Sequence, residues 1–416
     1  MKKVLMMITM AFGIMNANAQ YQLTNPGFDG TWNTCTPWVG KSSSTTSGTT
    51  PTGWCVANVI GTSSGLGKTV VGTSDTDRNG ASNCYSCKLT NGEYSGNVIP
   101  GYVTLGTAWN TAKGISGGNA DGGSWGGISF TGTPDAIEFW YKRSVSSGSQ
   151  PGSVVAYMWK GSTSQANVPA NVVVIGSPTT VTMVNRDRNI LGISTDQGGT
   201  VTYSSDFSLI ASLMTGDDHV VNITDTPSSW TKKTCEFTYH NATDRPTMIN
   251  VVFGSMDYFA NRSNHTSGNT LTVDDVKLLY YSELASATYN NAAVSFTNGA
   301  ATVDAEYDAS KLALTSNGHG ATIEKSYNEE TGVLTIMVKG EDFSVDTTNY
   351  HTYTIQFNTA VAGDLDGNGV VDDEDIAAII SMIKNPATKT DAADLNGDTK
   401  VNVGDITAAV NLMLKK

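Results

Sequence analysis

Residues 136–143 read AIEFWYKR. In an extended chain successive side chains point to opposite faces, so Ile137, Phe139 and Tyr141 share one face and Glu138, Trp140 and Lys142 the other. The stretch therefore predicts a strand with one apolar face and one half-polar face. Similar runs follow: SVVAYMWK, TCEFTYH, TMINVVFGSM and TLTVDDVKLLYY, separated by turns rich in Gly, Ser, Asn and Thr. Across residues 20–283 no stretch shows a capped helical period. This pattern predicts an antiparallel β-sandwich of jelly-roll type.

Composition agrees. The 416 residues are 39% hydrophobic with 8 Trp, 16 Tyr and 11 Phe, enough apolar material for sizeable cores. Only 15% are charged and 43 are Gly, a turn-rich β composition. The formal net charge of −13 repels phosphate backbones, which argues against nucleic acid and suits divalent cations and neutral ligands.

The first residues, MKKVLMMITMAFGIMNANAQ, have the form of an export signal. Lys2 and Lys3 precede an apolar run from Val4 to Met15, and Ala17 and Ala19 are small residues at the −3 and −1 positions before Gln20. The run is shorter than a membrane span requires, so the expectation is cleavage after residue 19, no transmembrane anchor, and a location outside the cytoplasm: extracellular, cell surface or periplasmic. An exported chain permits disulfides. Cys35, Cys55, Cys84, Cys87 and Cys235 are odd in number; Cys84 with Cys87 and Cys35 with Cys55 are options, and the four N-terminal Cys lack the spacing of a zinc knuckle. Cys235 alternates with Phe237 and Tyr239, which reads as a buried thiol on a strand.

Two further segments follow the first. Residues 284–359 lack Trp and Cys and contain about six short alternating runs, among them TYTIQFN, which predict a small immunoglobulin-like sandwich acting as a spacer. Residues 360–416 are acidic, rich in Ala and Ile, and internally repeated with a period of 30: GDLDGNGVVDDEDIAAIISMI aligns with ADLNGDTKVNVGDITAAVNLM.

Each copy opens with an EF-hand-like loop. Asp364, Asp366, Asn368, Val370, Asp372 and Asp375 stand at positions 1, 3, 5, 7, 9 and 12 of the first. Asp394, Asn396, Asp398, Lys400, Asn402 and Asp405 stand at those positions of the second. Ca²⁺ is a hard cation that takes six to eight oxygens, which such a loop supplies from side chains and the position-7 carbonyl. Gly369 fills position 6, where the backbone turns sharply; Thr399 fills it in the second copy. A short helix follows each loop, with Ile376, Ile379, Ile380 and Ile383 on one face of the first. Two loops in register predict two bound Ca²⁺.

This segment resembles a type I dockerin. Asp at position 12 in both copies, and the missing first helix of each EF-hand, match that family. The resemblance implies docking onto a cohesin-like domain. The Ser-Thr recognition pair of many dockerins is replaced by Asp373-Glu374 and Val403-Gly404. A calcium-stabilised cap without a partner is the alternative.

TNPGFDGTW near residue 30 and LTVDDVKLLY at 271–280 resemble the opening and closing segments of jelly-roll carbohydrate-binding modules. In such modules the two ends meet and often share a calcium, which would make Asp29 and Asp275 the ligands of a further ion. The stretch GSWGGISFTGTPDAIEFWYKR is similar to the carbohydrate-metabolism domain of exported proteins of gut-type bacteria, through Phe130, Gly132, Pro134, Asp135, Phe139, Trp140, Tyr141 and Lys142. That resemblance implies a polysaccharide context. Sugars stack on exposed rings and bind polar groups at their edges, so Trp140 with Glu138 and Lys142 on one strand face, and Trp109 and Trp125 in Gly- and Asn-rich stretches that read as loops, are the glycan-binding candidates.

No catalytic constellation emerges. GTSSGLGKT at 61–69 misses the P-loop spacing, and G-x-S-x-G at 61–65 and 114–118 lacks a following helix. The five His show no ligand spacing. The sequence thus predicts a signal peptide (1–19), a jelly roll (20–283), an Ig-like spacer (284–359) and a dockerin (360–416). The expected function is non-catalytic glycan binding with calcium-dependent tethering. The alternatives are a glycan-active hydrolase with unidentified carboxylates, or a structural or adhesion protein.

Overall fold

The computed structural model describes residues 20–34, 49–58, 70–94, 97–110, 122–148, 150–169, 180–194, 199–260, 265–358, 362–367 and 369–414. The export segment, Cys35, residues 61–69 and 114–118, and Asn368 lie outside them. The chain divides into two compact units, Met1–Tyr280 and Tyr281–Lys416.

Among the described residues the first unit is built on a twelve-stranded sheet, ten of whose strands form a continuous path: β1 Cys55–Val56, β2 Gly72–Thr76, β3 Tyr85–Thr90, β4 Tyr102–Thr104, β5 Ala136–Ser144, β6 Gly152–Lys160, β7 Ser208–Leu213, β8 Thr231–Tyr239, β9 Met248–Gly254 and β10 Thr270–Leu279. Hydrogen bonding runs in the order β1-β4-β9-β6-β7-β8-β5-β10-β3-β2, with antiparallel pairing throughout. Asn58 draws the two ends of this path together, because its Oδ1 accepts the N–H groups of Val71 and Gly72 at 2.8 and 3.0 Å. The result is a nearly closed, jelly-roll-like sheet. Near-closure covers the edges that an open sheet would expose.

The alternation of β5 is realised in the fold. Ile137, Phe139 and Tyr141 are buried in the interior with Val154, Ala156 and Met158 of β6, Phe253 of β9 and Val273 of β10. Phe139 packs edge-on against Phe253, with ring centroids 4.9 Å apart. Glu138, Trp140 and Lys142 are half-buried on the outer face. Cys235 of β8 is a buried thiol pushed up to about 11 by desolvation.

Strand β6 differs, since every residue but Lys160 is buried. Its outer face carries Val155, Tyr157 and Trp159 into a second apolar cluster, covered by Ile190 and Leu191. Those two come from the short helix α1, Asp187–Ile190, and its C-cap. SVVAYMWK lacks the polar alternation of AIEFWYKR, and burial on both faces is what that difference encodes.

The two ends of the unit meet. Val276 donates to the Pro26 carbonyl at 2.9 Å, and the Gln22 side chain makes two hydrogen bonds with the Leu278 backbone.

The second unit opens with two small sheets. One contains Leu284–Tyr289 between Ala292–Ala293 and Leu312–Ser316. The other has the order Ala300–Val303, Tyr350–Phe357, Val333–Lys339, Thr322–Asn328, its first pair parallel. Leu334, Ile336, Val338, Ile355 and Phe357 form its core. Two helices follow, α2 Asp373–Lys384 and α3 Val403–Met413. Their core repeats with the sequence: Val371 and Val401, Ile379 and Ala409, flanked by Leu365 and Leu395. Ile376 and Ile383 pack against this core, but Ile380 is exposed at the edge of the stripe. Among the described residues no helix is long and apolar enough to cross a membrane.

Candidate metal loops and outer sheet face

The duplicated loops are organised by their position-12 residues. Asp375 and Asp405 are the third residues of α2 and α3, and both are fully buried. One oxygen of Asp375 accepts the N–H groups of Leu365 at 2.6 Å and Asp366 at 3.2 Å, and the other accepts Asp372 N–H at 2.9 Å. Asp405 repeats the pattern with Leu395, Asn396 and Asn402 at 2.8, 3.2 and 2.8 Å. Burial would raise the Asp405 carboxyl, but these backbone donors outweigh it and hold it below its usual range.

Position 9 caps each helix: Asp372 accepts Glu374 N–H and Asn402 accepts Gly404 N–H, completing two capping boxes. Position 1 folds the loop onto itself. Asp364 accepts Gly367 and Gly369 N–H at 2.8 and 2.7 Å, and Asp394 accepts Gly397 and Thr399 N–H at 2.9 and 2.7 Å. Position 6 is left-handed in both copies, with φ of +85° at Gly369 and +68° at Thr399.

Carboxylate oxygens of Asp364, Asp366 and Asp375 lie within 4.8 Å of one another, a cluster that fits a hard cation. The donors are all oxygens, with no sulfur or imidazole among them. In the second loop Asn396 replaces the middle carboxylate, and Asn396 and Asn402 side chains donate toward Asp398 at 3.4 and 3.1 Å.

In the jelly roll, Asp29 and Asp275 come together around Gly27. A Cβ there would lie 2.8 Å from Asp29 Oδ2 and 3.6 Å from Asp275 Oδ1. A bulge in β10 opposite Glu138 and Trp140, with Asp275 at φ +45°, brings this about. The other Asp275 oxygen is held by the Arg78 guanidinium, through Nε at 2.8 Å and through Nη2. Asp29 Oδ1 accepts Tyr85 N–H at 2.9 Å. The neighbouring Asp274 is buried and pushed up to about 7, chiefly by desolvation. The resemblance-based pair is thus brought close, with a guanidinium already neutralising one member.

The glycan candidates separate. Trp109, expected to offer a ring from a loop, is instead a strand residue 1% exposed. Its ring packs with Met183, and the Arg186 guanidinium lies 4.9 Å from its centroid. Trp125 sits in the partner strand of the same hairpin, half-buried against that cluster. The expectation of stacking from loops is corrected at Trp109, because the paired strands turn its indole inward. Trp140, Glu138 and Lys142 do share the outer face of β5. Arg78 covers the Trp140 ring at 4.5 Å, Lys142 lies over the Trp230 ring at 4.4 Å, and Glu138 pairs with Lys232 at 3.0 Å. Arg78, Trp230 and Lys232 had no signal in the sequence, since only the tertiary fold brings them to β5: Lys232 by strand register, Arg78 and Trp230 from the segments just after β2 and just before β8.

The cysteine options narrow as well. Cys84 and Cys87 are separate thiols, Cys87 pointing into the core and raised by burial. Residues three apart along an extended chain are about 10 Å apart and face opposite ways, too far for a bridge.

Residues 362–414 match the model of the dockerin type I domain. No curated protein matches the chain. The solved structures similar to it include the following three. A "putative glycoside hydrolase" of Bacteroides vulgatus is 11% identical over 50% of this chain and 77% of its own, with a TM-score of 0.31. One of Bacteroides thetaiotaomicron, described in the same words, is 14% identical over 55% and 63%, with a TM-score of 0.32. A carbohydrate-binding module specific for non-crystalline cellulose is 10% identical over 60% and 97%, with a TM-score of 0.19. Likeness at that level decides neither fold nor function. The repeated loops, their capped helices and the family match agree on one assignment: residues 362–414 are a dockerin domain.

Proposed function

We propose that this is an exported, modular glycan-binding protein, tethered by its dockerin to a cohesin-type partner in a polysaccharide-degrading setting. The observation that carries the reading is the dockerin match over two loops whose hydrogen bonding repeats residue for residue. Calcium fits the oxygen donors. Asp364, Asp366, Asn368, Asp372 and Asp375 with the Val370 carbonyl would hold one ion. Asp394, Asn396, Asp398, Asn402 and Asp405 with the Lys400 carbonyl would hold the other. The ions would cross-link each loop to its helix and so rigidify the surface presented to the partner. The jelly roll would carry the glycan, and residues 284–359 would space the two as an Ig-like module.

The test is a glycan array probed with the full chain, with calcium and with chelator, followed by a reducing-sugar assay on every hit. Binding without turnover agrees with the proposal. Turnover would replace it by the hydrolase reading, and silence across a broad array by a structural or adhesive role.

A further inference from the structure

We infer that the outer face of strands β8, β5, β10 and β3 recognises an acidic polysaccharide, its chain carrying carboxylates such as those of uronic acids. This rests on the glycan-binding reading above and names the ligand class.

The register places the residues in rows across the sheet. Lys142 lies opposite Thr272, and Thr272 opposite Lys88. Trp140 lies opposite Lys232 on one side and Asp274 on the other. Lys277 lies opposite Glu138. Five of the chain's 25 Lys and Arg, namely Arg78, Lys88, Lys142, Lys232 and Lys277, thus gather on one face of a protein with net charge −13.

The acidic groups of this face are largely engaged. Glu138 is paired with Lys232, and Asp275 with Arg78. Asp274 is buried beneath Arg78, whose backbone N–H it accepts at 2.8 Å. Asp77 and Asp29, beside Asp274 and Asp275, accept backbone N–H groups of Asn79 and Ala81 and of Tyr85; Asp75 lies on the edge strand β2, diagonal to Lys88, and Glu236 at the far end of β8. Among the described residues Lys88, Lys142 and Lys277 have no carboxylate within 4.0 Å. Lys277 is exposed and the other two are half-buried.

Two indoles, Trp140 and Trp230, stand among these cations. Lys142 and Lys88 are two strand spacings apart, about 10 Å, on the scale of two sugar rings. Indoles that each carry a cation over one face, beside ammonium groups with no carboxylate partner, suit an anionic sugar chain, whose carboxylates would pair with lysines that a neutral chain leaves without one.

Affinity electrophoresis of the full chain in polygalacturonate gels, run with chelator, tests this; highly methyl-esterified pectin is the charge-masked control. The expected result is retardation by polygalacturonate, little by the ester, and about tenfold weaker binding for the triple variant Lys88→Glu, Lys142→Glu, Lys277→Glu at unchanged melting temperature. Trp230→Ala, which leaves the charges in place, should also weaken binding. Equal retardation of the triple variant and wild type would overturn the inference. So would binding of the ester or another neutral glycan alone, which leaves the glycan reading intact. Binding to no glycan, acidic or neutral, would defeat both.

Discussion

Asp375 reaches back across its loop to accept the Leu365 N–H at 2.6 Å, tying the last ligand position to the first turn. Asp405 does the same to Leu395 at 2.8 Å. These carboxylates serve the fold before any ion arrives, because each is also half of a capping box. Asp375→Ala should therefore destabilise the dockerin by about 1–2 kcal/mol even in chelator, on the scale of a lost cap. Chemical denaturation followed by circular dichroism at helical wavelengths would measure it; an unchanged midpoint in chelator would refute this structural role.

The two loops differ in charge. The first offers Asp364, Asp366, Asp372 and Asp375; the second offers Asp394, Asp398 and Asp405, with Lys400 in the loop itself. Calcium affinity rises with ligand charge. Calorimetry on the single variants should show the first loop, surviving in Asp394→Ala, binding roughly tenfold tighter than the second, surviving in Asp364→Ala. The reverse order would contradict the donor assignment.

Thr399 holds a left-handed backbone, φ +68°, where Gly369 stands in the first copy. That conformation costs a β-branched residue roughly 1–2 kcal/mol. Its N–H is held by Asp394 at 2.7 Å, as that of Gly369 is held by Asp364 at 2.7 Å. Thr399→Gly should stabilise the domain by about 1 kcal/mol, read as a shift in denaturation midpoint, without altering calcium stoichiometry. A loss of stability would show that the hydroxyl or methyl makes a contact worth more than the strain.

In the first unit Ser212 Oγ lies 2.9 Å from His219 Nδ1 and 2.8 Å from His240 Nε2. Burial lowers both imidazoles, and the neighbouring His240 lowers His219 further. As pH falls through the ordinary histidine range, near 6.5, the unfolded chain takes up these protons first, so stability present above that pH is lost below it. Between pH 7.5 and 5.5 the melting temperature of the wild type should fall relative to that of His219→Gln, His240→Gln; Asp274, raised to about 7, contributes the opposite slope equally to both. Identical profiles for variant and wild type would remove the histidines from the account.

How far these features were legible differs by residue. The two faces of β5 were readable because polar and apolar side chains alternate in AIEFWYKR. The covering of β6 was not, since SVVAYMWK lacks that alternation and its cover comes from Ile190 and Leu191, over 30 residues away. The loop positions were legible as a 30-residue repeat, but the double duty of Asp375 and Asp405 as ligand candidates and caps emerged only with the helix starts. Trp109 was misplaced because Gly and Asn around it suggested a loop; pairing of Trp109 with Gly123 made it a strand. Arg78 at Asp275 and Trp230 at Lys142 join residues about 200 and 90 positions apart, and local pattern carries no record of such distances.

The central claim is a calcium-loaded dockerin. Calorimetric titration of the chelator-stripped full chain with Ca²⁺, beside the double variant Asp364→Ala, Asp394→Ala, tests it most directly. The account predicts two ions bound per chain and none at these sites in the variant. A third ion retained by the variant and lost in Asp29→Ala would locate a further site in the jelly roll. Absence of calcium binding by the wild-type chain, or undiminished binding by the double variant, would contradict the account.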